Sequence, residues 1–325
     1  MLGSNAGDGT IRALTGKPKL RHFKSGDQVT DAGLPVLQHF PVFKSWQGGD
    51  PGSSVMTYQP EPNLLLLRGE ITDQGMLGLW GLDGLFALNL DDARLSISAA
   101  GLRPLAELPH LGWLGFNATD ETMGPIAALP YLRNLMCQDT SAGDAGFTKL
   151  SRSGSIEYIW GRRCYNLTGV GFAAMARMPS LRGLSVSCKN VEDAALSTLP
   201  DFPALVEFMP MDVPGEGFPH VGRCDRLEVV RCMYCRDTGD VATAHLARLQ
   251  RLKTYYAGQT RITDRSLELL GNMQSLERLS FEACAGLTNA GIAILALLPR
   301  LRKLSLALLP GVTREAIAHF PLTSA

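Results

Sequence analysis

A short apolar pattern that returns along the whole chain constrains the fold more than any other feature. The pattern is L-x-x-L-x-L, and it is plainest in the two segments that begin at Leu276 and Leu301, 25 positions apart. Thirteen copies can be aligned, with 21 to 26 positions from one start to the next. They start at Leu20, Phe43, Leu64, Leu85, Leu111, Leu132, Ile156, Leu181, Leu205, Leu227, Leu252, Leu276 and Leu301. Such a period is typical of a solenoid, because one unit cannot bury its own apolar face and neighbouring units must stack into a shared core.

The residues after each pattern predict a short helix. In the best copies a cysteine stands eight positions after the first apolar residue, and an apolar residue followed by Thr comes about three positions later, as in Leu287-Thr288. Thr is a good N-cap because its hydroxyl satisfies a free backbone N–H in the first turn. Proline ends the helix in several copies, as at Pro299. Each unit is therefore predicted to be a strand, a turn, a short helix and a turn.

Two strings in the second half carry a resemblance to a known family. They are Leu227-x-x-Val230-x-Cys232-x-x-Cys235 and the segment from Leu276 to Ile292, which runs L-x-x-L-x-F-x-x-C-x-x-L-T-N-A-G-I. Both resemble the cysteine-containing, ribonuclease-inhibitor-like class of leucine-rich repeats, over about residues 11 to 322. The resemblance implies an α/β leucine-rich repeat solenoid, a horseshoe with a parallel sheet on its concave face and short helices on its convex face. We expect residues 1–325 to form a single domain of about thirteen such repeats.

Three stretches depart from the pattern. Residues 47–63 carry no helical pattern and are predicted to form a loop. The copy from Leu205 has Pro210 in its strand and Pro214, Gly215, Gly217 and Pro219 where a helix should run, which predicts an irregular convex side. Residues 5–20 look like the second half of a repeat whose strand is missing, so we expect the chain to be a segment of a longer protein.

Composition narrows the class of partner. The chain has 31 Lys+Arg and 31 Asp+Glu, and this balance argues against a nucleic-acid partner, which needs a basic excess or stripe. No apolar run approaches the ~18 residues of a membrane span, and the N-terminus lacks the apolar region of a signal peptide. The seven cysteines are predicted to be free thiols in a reducing compartment, which favours a cytoplasmic location.

Catalytic and metal-binding motifs have little support. His220, Cys224, Cys232 and Cys235 could in principle hold zinc. However, Cys232 and Cys235 fall where other copies place a buried small or apolar residue, and a buried free cysteine behaves as a small hydrophobe. The chain has no G-x-S-x-G elbow, no P-loop and no H-E-x-x-H. We therefore expect no metal, no cofactor and no enzymatic activity.

The concave face is the candidate binding site. Strand side chains alternate, so the third, fifth and seventh pattern positions are expected to point to solvent. Aromatic, Met and Arg side chains there are typical of interface hot spots. The strand that contains Ser185 carries a row of small side chains, and the strands on either side of it carry larger ones. This arrangement predicts a trough about 10 Å across over residues 158–233. The predicted partner-binding residues are Trp113, Met136, Tyr158, Trp160, Arg162, Ser185, Glu207, Met209, Met211, Arg231, Met233 and Tyr256. The alternative is that some are covered by the chain's own loop or by a neighbouring domain.

The preferred function is a non-catalytic module that binds a protein or peptide on this face. The resemblance also implies an alternative, since relatives act as substrate receptors of ubiquitin ligases or as bacterial interaction proteins. In that alternative the chain is the recognition or regulatory region of a larger enzyme with its catalytic part elsewhere. A third possibility is small-molecule or glycan binding at Tyr158 and Trp160. The sequence does not indicate the partner's identity or the oligomeric state.

Overall fold

The chain divides into two compact units that are built from the same repeat. A computed structural model describes residues 5–46, 48, 54–56, 64–91, 93–213 and 215–320. One unit comprises Met1–Leu167 with Arg177–Leu181, and the other comprises Thr168–Ala176 with Arg182–Ala325. Most of the loop predicted over 47–63, and Pro214, lie outside the described residues. The single domain of thirteen repeats remains a prediction.

Among the described residues of the first unit, six strands form a parallel sheet in the order β1, β2, β4, β6, β7, β8. A separate parallel pair is formed by β3, which follows β2 in the chain, and β5, which follows β4. The strands are β1 (His22–Lys24), β2 (Leu64–Leu66), β3 (Glu70–Thr72), β4 (Ala87–Asn89), β5 (Arg94–Ser96), β6 (Trp113–Gly115), β7 (Asn134–Met136) and β8 (Tyr158–Gly161). The helices are α1 (Asp8–Ala13), α2 (Pro41–Lys44), α3 (Asp73–Met76), α4 (Arg103–Ala106), α5 (Met123–Ala127) and α6 (Asp144–Leu150), with 3-10 helices at Asp31–His39 and Leu77–Leu79.

In the part of the second unit that the structure describes, six parallel strands pair in chain order. They are β9 (Gly183–Val186), β10 (Glu207–Phe208), β11 (Val229–Met233), β12 (Thr254–Gly258), β13 (Arg278–Glu282) and β14 (Lys303–Ala307). The helices are α7 (Gly169–Met175), α8 (Asp193–Leu196), α9 (Phe218–Val221), α10 (Asp240–Leu246), α11 (Asp264–Leu270) and α12 (Asn289–Ile294), with 3-10 helices at Leu199–Asp201, Gly215–Gly217, Leu295–Leu297 and Arg314–His319. The predicted α/β leucine-rich repeat fold is confirmed.

One of the predicted strand positions is wrong. Phe43 lies buried in α2 rather than in a strand, and β1 pairs directly with β2. Pro41 at the first helical position favours this helix, since proline's fixed φ suits a helix start. The strand predicted near Leu64 begins at Leu64, the first position of its pattern, and Leu64 pairs with Ala87. In the other copies the strand begins at the third pattern position, as at Trp113 in the copy from Leu111.

On the convex side of the copy from Leu205 a 3-10 helix, Gly215–Gly217, precedes the short α9, in agreement with the irregular convex side predicted there. Strand β10 has only two residues, and α9 only four. Within the described part of residues 5–20 the chain forms α1 and no strand, and the half repeat expected there remains a prediction.

A carboxylate of one repeat holds the N-cap residue of the next repeat's helix. In the second unit, Thr263 donates its backbone N–H and hydroxyl to Asp240 at 2.9 and 2.7 Å. Ser266 adds a hydrogen bond to the same carboxylate at 2.6 Å. Burial alone would raise the pKa of Asp240, but the hydrogen bonds from Ser266 and Thr263 outweigh it and lower the pKa. Thr263 therefore caps its own helix and also links that helix to Asp240 of the preceding repeat.

Candidate functional site

The strands of the second unit present a mixed polar and apolar face. Residues at the third, fifth and seventh positions lie on the face opposite to the core leucines. The parallel register places Arg231 beside Tyr256, and Met233 beside Gly258. Tyr256 in turn lies beside Ser280. The half-exposed side chains of β11 to β13 therefore form one continuous surface within this unit.

A buried carboxylate holds the arginine of this surface. Glu207 Oε1 accepts a hydrogen bond from Arg231 Nε at 3.1 Å, with the Glu207 side chain 3% exposed and that of Arg231 26% exposed. A buried carboxylate is costly unless it is paired, so the guanidinium satisfies a group that burial would otherwise destabilise. The terminal nitrogens of Arg231 donate to no acceptor among the described residues. The arginine is thus fixed at Nε while its outer edge stays available.

Tyr256 is held in a similar way on the next strand. Its hydroxyl donates to Glu282 Oε2 at 2.7 Å. The ring lies over Gly258, where an added Cβ would collide with the Tyr256 hydroxyl. Burial, followed by the Glu282 hydrogen bond and charge, raises the pKa of Tyr256, so the phenol stays neutral and a donor. This fixes the ring edge beside Arg231.

The methionines and the serine of this unit are more buried than predicted. Met209 and Met211 are each 1% exposed and Ser185 is fully buried, whereas Met233 is half-buried. Met211 bridges in register to Met233 on one side and to Ser187 on the other. Parallel strands about 4.8 Å apart bring same-position side chains into contact, so long flexible ones cover each other. The expectation that these residues point to solvent is therefore wrong for Ser185, Glu207, Met209 and Met211.

The predicted aromatic residues of the first unit are also buried. Trp113, Met136, Tyr158 and Trp160 are all under 9% exposed, and only Arg162 of this group is exposed. Large side chains stand beside small ones: Met136 pairs with Gly115 on one side and Trp160 on the other. Gly115 also leaves room for the Trp113 ring, which an added Cβ would touch. The solvent-facing position predicted for these four residues is wrong, because such neighbours pack together along the sheet.

The predicted trough draws on both units. Tyr158, Trp160 and Arg162 belong to the first unit, while Ser185, Glu207 and the later residues belong to the second. The structure brings Glu207, Arg231, Met233 and Tyr256 together in the second unit. The trough itself remains a prediction.

The cysteines occupy core positions. Cys232 and Cys235 are 0% and 2% exposed, and the hydrogen bond that Cys232 donates to Cys235 raises the pKa of Cys232 and lowers that of Cys235. Burial raises the pKa of Cys224 to about 12. His220 Nε2 lies 3.0 Å from Asp193 Oδ1 instead of turning to the thiols. Within the described part of the chain, no three His, Cys, Asp or Glu side chains gather as a metal-binding group.

A cavity in the first unit was not predicted from the sequence. An open cavity of about 480 Å³ in the first unit is lined by Trp46, His110 and Tyr131 among others. The usable signal was the residue after the recurring proline, since His110 follows Pro109 and Tyr131 follows Pro130.

No helix in the described ranges is long and apolar enough to span a membrane.

Comparison with known proteins supports the fold alone. No family model and no curated protein sequence matches the chain. Among solved structures, Rad7 from yeast, in its complex with Elc1, is similar at a TM-score of 0.61 and 14% identity, over 98% of this chain and 83% of that one. An internalin, inlF, of Listeria monocytogenes gives a TM-score of 0.45 and 18% identity, over 74% of this chain and 72% of that one. Internalin C2 of the same organism gives 0.40 and 18%, over 64% and 83%.

Proposed function

We propose that the chain is a non-catalytic protein-binding module and that its binding surface lies on β11 to β13 of the second unit. The observation that carries this proposal is the pair of anchored side chains, Arg231 held by the buried Glu207 and Tyr256 held by Glu282. Their half-exposed neighbour Met233 supplies apolar contact area. We call Arg231, Met233 and Tyr256 the anchored patch.

The anchored patch has the composition of an interface hot spot. Arg and Tyr are enriched among residues that dominate binding energy, and Met is enriched in interfaces. Side chains already fixed by hydrogen bonds lose less conformational entropy on binding, which improves affinity without new contacts. The outer nitrogens of Arg231 suit a carboxylate of a protein or peptide, since guanidinium binds carboxylates in a bidentate manner.

Several coarser features support a protein partner. Rad7, which is similar in fold, is described in a complex with another protein. The equal numbers of basic and acidic residues do not favour nucleic acid. We further propose a cytoplasmic location on the strength of seven free, buried thiols, and membership of the cysteine-containing repeat subclass on the strength of Cys164, Cys235 and Cys284 at one repeat position.

The same surface would serve if the chain is the recognition region of a larger enzyme. Sequencing the complete reading frame in the source organism separates the two roles, because the second role requires a catalytic domain before or after these residues. Glycan binding at Tyr158 and Trp160 is less favoured, since these residues are only 6% and 8% exposed and offer little stacking surface.

The test uses accessible residues. Trp160 and Met209 are buried, so Asp at either site would unfold the chain rather than report on binding. A partner is first identified by chemical cross-linking in lysate of the source organism, then purified and titrated against Tyr256→Ala and Met233→Ser. We expect affinity to fall by about tenfold or more for a hot-spot residue.

The matched control is Val241→Ser, on an exposed side chain of α10 that is away from the strands. It should leave affinity unchanged. Equal affinity for all three variants, with unchanged melting temperatures, would reject the anchored patch as the binding surface.

A further inference from the structure

The first unit contains an open cavity at the edge of its sheet where the strands begin. Its volume is about 480 Å³, within the range of about 300–1,000 Å³ that ligand pockets occupy. The rings of Trp46 and His110 stack with centroids 4.4 Å apart and planes 16° apart. Trp46 also packs at a tilt against Phe86, at 5.5 Å. Part of the lining is therefore a stacked aromatic platform, and Pro109 and Pro130 also line the cavity.

Two of the rings that line this cavity are exposed and carry hydrogen-bond donors. Trp46 is 37% exposed and Tyr131 is 52% exposed. Neither the indole N–H of Trp46 nor the hydroxyl of Tyr131 makes a hydrogen bond within the described part of the chain. A ring that is apolar on its face and has a free donor at its edge suits a ligand that is apolar in its side chains and carries bare carbonyl groups.

A proline-rich peptide has this chemistry. In the polyproline II conformation the backbone makes no internal hydrogen bonds, so every carbonyl is free to accept one. The pyrrolidine rings supply flat apolar surface, and the preformed helix loses little entropy on binding. An ordinary flexible peptide could present the same carbonyls but would have to be ordered first.

Charge at the cavity indicates what flanks the prolines. Arg133 and Glu157 form a loose ion pair, with 3.7 Å between Nε and Oε1. The arginine side chain is 58% exposed and the glutamate side chain 30% exposed, so the cation is the more accessible partner. An exposed pair at this distance contributes little, and the arginine can pair with a second carboxylate at small cost.

We infer that this cavity binds an extended proline-rich segment of a partner protein that carries an acidic residue beside its prolines. Trp46 and Tyr131 donate to carbonyl oxygens of the segment, the platform packs against its proline rings, and Arg133 pairs with its carboxylate. The site is separate from the anchored patch, so either can fail without the other.

The test is isothermal titration calorimetry of the whole chain with three capped synthetic peptides. They consist of three repeated triplets: Pro-Pro-Glu, Pro-Pro-Lys or Gly-Gly-Glu. We expect the Pro-Pro-Glu peptide to bind most tightly, with the lysine version weaker by about fivefold or more for the loss of one favourable charge contact. The glycine version should show no measurable binding.

Variants locate the site. Trp46→Ala should weaken the Pro-Pro-Glu peptide about tenfold, and Arg133→Gln should remove the preference for glutamate over lysine. Tyr131→Phe deletes one exposed hydroxyl, preserves the fold and should weaken binding about threefold. Trp80→Ala, at a tryptophan that is 61% exposed and outside the cavity, is the matched control and should change nothing.

Two results would overturn the inference. One is the absence of binding of the Pro-Pro-Glu peptide to the unmodified chain at millimolar concentration. The other is binding that Trp46→Ala and Tyr131→Phe leave unchanged while their melting temperatures match that of the Trp80→Ala control.

Discussion

Asp264 and Thr288 join two successive repeats through a pair of hydrogen bonds. The backbone N–H of Thr288 donates to Oδ1 of Asp264 at 2.9 Å, and its hydroxyl donates to Oδ2 at 2.5 Å. An added Cβ on Gly291 would overlap the same carboxylate. The same two bonds join Asp240 to Thr263 one repeat earlier in the chain. The threonine, aspartate and glycine of the repeat are therefore parts of one contact between neighbouring helices.

Replacing Gly291 with Ala should destabilise the second unit. The new methyl group forces the Asp264 carboxylate away from Thr288, and overpacking of this kind costs about 1–3 kcal/mol. Urea denaturation followed by circular dichroism measures the change. Gly9→Ala is the control, because Gly9 lies in α1 with open space where its Cβ would stand; it should raise stability by up to about 1 kcal/mol. Equal effects of the two substitutions would contradict the contact.

The Asp240 carboxylate should contribute stability that depends on pH. Its pKa is lowered in the folded state, so its contribution is complete above the unfolded value of about 4 and is lost as pH falls through the lower folded value. Asp240→Asn should therefore be less stable than the unmodified chain at pH 7, by a margin that shrinks toward pH 3. The measurement is urea denaturation across this range.

A margin that stays constant between pH 7 and pH 3 would contradict this role for Asp240. Asp237→Asn serves as control, since that side chain is 80% exposed. Its stability should differ from that of the unmodified chain by less than about 0.5 kcal/mol at either pH.

Ala283→Gly should stabilise the protein. Ala283 has a φ of +50°, one of five non-glycine residues with positive φ that follow strands of the second unit: Asp212, Tyr234, Gln259, Ala283 and Leu308. The left-handed conformation costs an L-residue about 1–2 kcal/mol, which glycine avoids at a smaller entropic cost. We expect a gain of up to about 1 kcal/mol by thermal or urea denaturation. Ala293→Gly, inside α12, should lose about 0.5–1 kcal/mol instead. A loss at position 283 as large as at 293 would refute the argument from φ.

Breaking the Glu207 and Arg231 pair from one side should cost more than replacing both residues. Arg231→Met leaves the Glu207 carboxylate buried without its cation, whereas Glu207→Gln together with Arg231→Met leaves no buried charge. We expect the single variant to lose about 1–3 kcal/mol, after allowance for the partly exposed arginine, and the double variant to lose less. A double-mutant cycle measures the coupling. Additive losses would show that the two side chains do not support each other.

The repeat and its helix caps were predictable because they depend on short spacings. The interval from Leu276 to Thr288 already contains the strand, the turn and the cap. The failure at Phe43 has a local cause that the apolar pattern hides, since Pro41 starts a helix where the spacing predicts a strand. The core position of Cys232 and Cys235 was likewise readable from alignment of the copies.

The candidate site was only half predictable. Arg231, Met233 and Tyr256 were identified by position, and together with the exposed Arg162 of the first unit they are the predicted members that remain accessible. The sequence could not separate them from Trp113 or Met209, which occupy equivalent positions and are buried. Exposure on a sheet depends on the size of the side chains on both neighbouring strands, and those strands lie 21 to 26 positions away along the chain.

The sequence by itself determined the leucine-rich repeat architecture, and in most copies the strand, the short helix and the residues of each strand face. These follow from alternation along a strand and from capping within a few residues, both of which act locally. Only the tertiary structure decided which face residues are covered, which carboxylate holds Arg231, and that Trp46 stacks on His110 to form a cavity wall. Those outcomes require side chains far apart in the chain to compete for the same space, and the result of that competition is set by packing in three dimensions.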